Sequence, residues 1–216
     1  MADYGSLISG FRVFKATTFP AQRDIAVHLM RQGEKPKTLF ITCSDLRISP
    51  EVIFSSQPGA FFVLKNIAAL VPPYGVTNAN GAMSAIEYAV VALKVESIIV
   101  LGHSKCDSIK LLMDSEDVSE SILSVKKSAS VQDWLAIGYA AKDAVNNEMA
   151  NKSSLEKECA CEKEAILVSV KNLLTFPFIL ERIEDETLKI YGWHFNIENG
   201  QLEGFNPVTK FFDPIG

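Results

Sequence analysis

Cysteine and histidine are scarce in this 216-residue chain: four cysteines (Cys43, Cys106, Cys159, Cys161) and three histidines. So few cysteines over this length argue against a disulfide scaffold and predict reduced thiols. No dense run of Lys and Arg occurs. Basic residues number 21 against 26 acidic ones, a formal charge of −5. That balance leaves no basic footprint, so nucleic acid is not an expected partner. No apolar run approaches the roughly 18 residues of a membrane span, so no membrane partner is expected either. The opening MADYGSLISGFRVFK lacks a basic segment followed by a long apolar one. No secretory signal is therefore read, and the cytoplasm is the expected location. Repeats, low-complexity blocks and Pro/Gly/Ser linkers are missing too. With 48% apolar and 22% charged residues, one domain over 1–216 with a substantial core is expected.

Hydrophobic pattern supplies the elements. Residues 4–14 predict a short helix with Phe11 and Phe14 on a docking face, and 21–32 a second helix ended by Gly33. KTLFITC at 37–43, AFFVL at 60–64 and SIIVL at 97–101 read as buried strands. Ser49-Pro50-Glu51 has the form of a helix start, with Ser as cap and Pro in the first turn. Residues 80–93, 130–149 and 154–174 predict helices, and Pro177 breaks the last pattern. Residues 187–195 and 201–205, joined through Glu198-Asn199-Gly200, predict a closing hairpin. The stretch 114–130 has no readable period. Buried strands alternating with helices predict an α/β fold of three layers around a mostly parallel sheet.

Two of those strands end in reactive residues. The first ends Cys43-Ser44-Asp45-Leu46-Arg47, and the third ends Gly102-His103-Ser104-Lys105-Cys106. An isolated strand-end cysteine is ordinarily a small buried hydrophobe, and H-x-x-C alone is a weak metal signal. Ligands of open parallel sheets, however, sit at the carboxyl ends of strands. There Cys43, His103 and Cys106 could converge on one Zn²⁺, which favours sulfur and nitrogen donors. Asp45 and Arg47, two residues apart, share a face if extended. Asp45 is then either a fourth ligand closing the site, a carboxylate held off by Arg47, or half of a surface ion pair.

C-S-D-x-R followed about sixty residues later by G-H-S-x-C resembles the β-class carbonic anhydrases, closest to plant-type and cyanate-operon-type members. The resemblance extends through QPGAFFVLKNIAALVPPY at 57–74, AIEYAVVALKV at 85–95, CEKEAILVSVKNLLTFPF at 161–178 and YGWHFNIENG at 191–200. It implies a sheet of four to five mostly parallel strands, an N-terminal helical arm, and C-terminal helices and hairpin. It also implies a homodimer or higher homo-oligomer. Cys43, His103 and Cys106 would bind zinc, with Asp45 and Arg47 as an orienting catalytic dyad. Phe62 and Tyr88 match substrate-pocket residues contributed across the dimer interface; ordinary core aromatics are the other reading. The implied reaction is reversible hydration of CO2 to bicarbonate and a proton, by attack of zinc-bound hydroxide. Two further readings remain: a same-scaffold hydrolase of carbon disulfide or carbonyl sulfide, and a non-catalytic zinc protein with a closed site. Arg47 argues against the last, since a structural site needs no partner to hold the acid back.

Several positions depart from the family pattern. Asp107 and Ser108 follow Cys106 where glycine is usual, and the acid is read as capping the next helix. Glu34 stands at a substrate-pocket glutamine position, and an ionised Glu cannot donate a hydrogen bond. Lys65 and Ala69 replace an arginine and an asparagine, and Leu46 replaces a serine. Phe40 stands where a regulatory bicarbonate site would need tryptophan, so that site is not expected. His28 and His194 are read as structural. Cys159 and Cys161 are too close together to chelate zinc and are read as thiols on a helix.

Overall fold

Strand β1 (Thr38–Cys43) is buried over nearly its whole length, as the apolar run TLFITC requires. It lies parallel between β2 (Phe62–Asn66) and β3 (Ser97–His103), and β3 runs parallel to β4 (Lys189–Phe195). The computed structural model describes residues 3–32, 35–57, 59–76, 81–114 and 124–215. It places two antiparallel strands beyond β4: β5 (Leu202–Phe205) and β6 (Phe212–Pro214). The sheet order is β2-β1-β3-β4-β5-β6.

The mostly parallel α/β architecture matches expectation, but the described residues form six strands rather than four to five. The sixth is only three residues long and ends in Pro214. An edge tolerates proline and needs no buried alternation, so the sequence carries little signal for it. A turn closed by Asn206 sets its register, with Oδ1 accepting the N–H of Val208 at 2.9 Å.

Helices cover the sheet. An N-terminal arm comprises α1 (Tyr4–Thr17) and α2 (Phe19–Gln32), longer than the sequence suggested; Gly33 lies outside the described residues. Then come α3 (Pro50–Ile53), α4 (Gly81–Glu87) and α5 (Asp107–Leu112). The later ones are α6 (Ala129–Leu135), α7 (Tyr139–Glu148), α8 (Ser154–Leu173) and α9 (Pro177–Glu184).

Two local readings need correcting and two hold with a refinement. The helix expected through 93 widens into a π-helical turn at Tyr88–Ala92. The helix expected over 130–149 is split by a 3₁₀ turn at Ala136–Gly138, where a Cβ on Gly138 would meet Leu112 at 2.8 Å. Pro177 does end the α8 pattern, but it also starts α9, in the first turn where its missing N–H does no harm. Ser49 stands before α3, yet its hydroxyl donates to the Glu51 carboxylate instead of accepting from the helix. Of the unreadable 114–130 stretch, residues 115–123 lie outside the described residues; the rest holds a 3₁₀ turn at Val125–Lys127 and the start of α6.

Alternation along β1 and β3 feeds two cores. Leu39, Ile41, Ile98 and Val100 pack with Ile86, Val90, Phe176 and Ile179. Phe40, Ile99 and Leu101 pack on the opposite face with Ile48, Phe54, Phe61 and Trp193. Burial on both faces is what a parallel sheet between helical layers demands. Helix α8 starts from a capping box: Ser153 Oγ accepts the N–H of Glu156, whose carboxylate accepts the N–H of Ser153. It lies close against β3 and β4 because both strands present glycine beneath Ile166. A Cβ on Gly102 would come within 2.6 Å of that side chain, and one on Gly192 within 2.8 Å. Gly102→Ala should therefore lower stability by about 1–3 kcal/mol through overpacking. Ile166→Ala in the same chain should recover part of that loss in urea denaturation.

After β1 the chain returns on one side as β2 and on the other as β3. The order of strands thus reverses between β1 and β3, and a crevice opens at their carboxyl ends.

Candidate metal centre

Cys43 is the last residue of β1, His103 the last of β3, and Cys106 the residue that precedes α5. All three are buried, and their donor atoms lie within 4.8 Å of one another. The two sulfurs are 3.9 Å apart. His103 Nδ1 lies 2.9 Å from the Ser104 carbonyl. A carbonyl only accepts, so this nitrogen carries the proton and Nε2 keeps its lone pair. Nε2 is buried without a hydrogen-bond partner, which ordinarily costs about 1–3 kcal/mol. The Ser104 loop is tied to β4 by its N–H on the Phe195 carbonyl and by its hydroxyl accepting from Ile197.

The thiols share charge unequally. The hydrogen bond from Cys106, against the effect of burial, drops the Cys43 thiol to about 4. Donating that bond, together with burial, pushes Cys106 well above its usual value. Burial opposes the imidazolium of His103, yet the neighbouring Cys43 sulfur and the Ser104 carbonyl turn its net shift upward. Two thiols and an unpartnered imidazole nitrogen suit a soft or borderline divalent cation.

Asp45 is held beside this cluster. Arg47 donates to it three times: backbone N–H and Nε to Oδ1 at 2.8 and 2.9 Å, and Nη2 to Oδ2 at 2.6 Å. Nη2 also reaches the carbonyl of Lys105 at 2.9 Å, a residue with left-handed φ of 56°. The Arg47 hydrogen bonds, opposed by burial, hold the Asp45 carboxyl at about 2. Because the folded value is depressed, this ionisation contributes stability that is complete above the ordinary pKa of 3.8 and is lost as pH falls through about 2. Oδ2 stands 3.9 Å from His103 Nε2, so Arg47 restrains an acid within reach of the three donors. A cleft of about 370 Å³ opens over Cys43, Asp45 and Arg47, walled by Leu46, Ile67 and Asp107.

The carbonic anhydrase family model matches residues 38–202. A carbonic anhydrase of Synechocystis sp. is 37% identical over 209 residues, 95% of this chain and 72% of its own length. One of Synechococcus elongatus is 35% identical over 199 residues, 91% and 69%. In structure, the β-carbonic anhydrase CcaA superposes with a TM-score of 0.86 at 34% identity, covering 97% of this chain and 98% of that one. This chain belongs to the β-class carbonic anhydrases. A tetrameric β-carbonic anhydrase of Sordaria macrospora superposes at 0.78 with 25% identity, covering 94% and 96%.

The enzyme is thus a lyase of the CO2-hydrating class, with a cluster able to hold a metal. Not every expected site residue gathers there. Phe62 and Tyr88 sit with ring centres 6.0 Å apart, but neither lines the cleft of its own chain, and Tyr88 is 55% exposed. Glu34 lies outside the described residues, as does the side chain of His28. Asp107 is not the cap of α5: Cys106 occupies that position, and Asp107 is the first helical residue, in the turn where an acid suits the helix dipole. Cys159 is exposed and Cys161 buried on α8, with burial pushing the Cys161 thiol up to about 12. Sequence reasoning missed Ile67 in the cleft wall and the Lys105 carbonyl on Arg47. Neither a lone isoleucine nor a backbone oxygen has a sequence signal.

Proposed function

We propose that this enzyme is a zinc-dependent catalyst of CO2 hydration with Cys43, His103 and Cys106 as the metal ligands. The observation that carries this reading is the buried, unpartnered His103 Nε2 lying within 4.8 Å of two buried thiols. When bound, zinc supplies a Lewis acid that lowers the pKa of water. Asp45 is the group that accepts a proton-bearing hydrogen bond from the reacting water, and its Oδ2 is aimed by Arg47. Arg47 keeps Asp45 ionised and would hold it back from a metal bound by the three donors. Leu46 and Ile67 give the cleft an apolar wall suited to uncharged CO2.

Residues 1–216 are read as one catalytic unit, placed in a reducing cytoplasm that keeps its thiols free. The unit is completed by a second copy. Helix α1 buries none of its residues, and leaves Leu7 60% and Phe11 58% exposed. Such an apolar stripe fits an arm laid on another protomer, and Phe62 with Tyr88 would then wall the neighbour's cleft. Deleting residues 1–18 should shift the assembly toward smaller species in sedimentation; an unchanged oligomer would refute the arm's role.

The direct test is metal content together with stopped-flow hydration of CO2, with carbon disulfide and carbonyl sulfide assayed beside it. Zinc near one per chain and turnover of CO2 are expected; absence of either defeats the proposal. Ligand charge sets the pH profile. Two thiolates offset the divalent charge, whereas a three-histidine centre keeps it and brings water to a pKa of about 7. Hydration should therefore climb between pH 6 and 9, and a flat profile over that range would count against two thiolate ligands.

A further inference from the structure

Behind the thiols lies a line of titratable side chains outside the cleft. Glu162 on α8 and His194 on β4 are each 5% exposed. Glu162 Oε1 accepts the backbone N–H of Cys106 at 3.3 Å. Its Oε2 lies 3.2 Å from His194 Nε2. Across the ring, His194 Nδ1 is 3.5 Å from Glu203 Oε2, and Glu203 is paired with Lys163 at 2.8 Å. Lys163 also sits 5.4 Å over the ring of Phe212 on edge strand β6. The line therefore runs from the sheet edge to the peptide of a metal-ligand candidate.

Burying a carboxylate is unfavourable unless it is paired and hydrogen-bonded. Here the close seat of α8 on Gly102 and Gly192 brings Glu162, one turn before Ile166, to both of its partners. The N–H of Cys106 stands at the start of α5 and has no acceptor within that helix. Glu162 fills the role from outside.

We propose that Glu162 and His194 are positioning residues for the metal centre. His194 fixes the Glu162 carboxylate, and the carboxylate fixes the Cys106 peptide, so that Sγ is held at a set distance from Cys43 and His103. This rests on the three-ligand reading above. Outer partners of this kind typically contribute about 10–100-fold in metal affinity.

The test uses the full chain, with zinc affinity measured by chelator competition and the fold checked by far-UV circular dichroism. Glu162→Ala and His194→Ala should each weaken zinc binding about 10–100-fold. Glu162→Gln keeps a carbonyl for the Cys106 N–H and should stay within about threefold of wild type. Glu162→Ala combined with His194→Ala should bind no more weakly than Glu162→Ala alone, because His194 acts through Glu162. The thiolate-to-metal absorption of the cobalt(II) form should shift in Glu162→Ala and not in Glu162→Gln. Affinities of all variants within about threefold of wild type, or losses that simply multiply in the double variant, would overturn the proposal. Should Glu162→Ala fail to fold, His194→Ala decides: unchanged affinity with an unchanged cobalt spectrum overturns it. A wild-type chain that binds no zinc would instead remove the metal-centre reading itself.

Discussion

Cys106→Ser is expected to lose zinc and to cut CO2 hydration by about 1,000-fold or more, since the rate enhancement goes with the metal. Cys106 contributes one of two sulfurs 3.9 Å apart, and a serine hydroxyl at that point is a poor ligand for a borderline-soft cation. Serine also removes the thiol whose sulfur lies 3.9 Å from that of Cys43, so the centre keeps one sulfur donor of its two. Cys161→Ser is the control. That thiol is also buried, in the same core cluster, but burial pushes it up to about 12, and it is not among the three converging donors. Its zinc content and turnover should match wild type. Elemental analysis with stopped-flow kinetics on both variants decides the matter. A fully metallated, active Cys106→Ser protein would refute the ligand assignment.

Arg47→Ala should cut hydration by about 10–100-fold while leaving zinc in place, within the range for losing a partner that orients a metal site. The side chain makes two of the three hydrogen bonds that hold Asp45, and the third comes from its own backbone. Released from the guanidinium, a carboxylate 3.9 Å from His103 Nε2 can swing onto the metal and fill the position that solvent needs. Arg47→Lys should rescue only in part, because a single ammonium cannot reproduce the paired contacts of a guanidinium. The crystal structure of zinc-loaded Arg47→Ala is the check. Solvent at the fourth position at every pH, with Asp45 still turned away, would defeat this account of the pair.

Much of this was legible before folding. The strands around Leu39 to Cys43 and Ile98 to Leu101 are short apolar runs bounded by polar residues, the pattern of a strand buried on both faces. Motif spacing was also readable, because Asp45 and Arg47 interact across two residues, and a two-residue contact needs no knowledge of the fold. Local chemistry was a poorer guide elsewhere. The break inside 130–149 arises because Gly138 meets Leu112, a neighbour that the sequence does not reveal. β6 depends on pairing Phe205 with Phe212 more than on its own composition. Glu162 and His194 read as an ordinary helix acid and a strand histidine, since their role appears only when α8 settles on β3 and β4.

The sequence by itself determined the residue types at the two strand ends and hence the chemistry available: two sulfurs, one imidazole, and an acid tied to a guanidinium. Only the tertiary structure decided that they meet. Strand alternation alone would put Cys43 on the face of Leu39 and Ile41, and His103 on the opposite face with Ile99 and Leu101. The β1–β3 ladder ends at Thr42 and Leu101, and both donors lie beyond that last pair, at the edge where the strand order reverses. Cys43 still pairs with Asn66 of β2 and His103 with Phe195 of β4, but past that last pair β1 and β3 are no longer tied to each other, and the surrounding loops and helices bring the donors together.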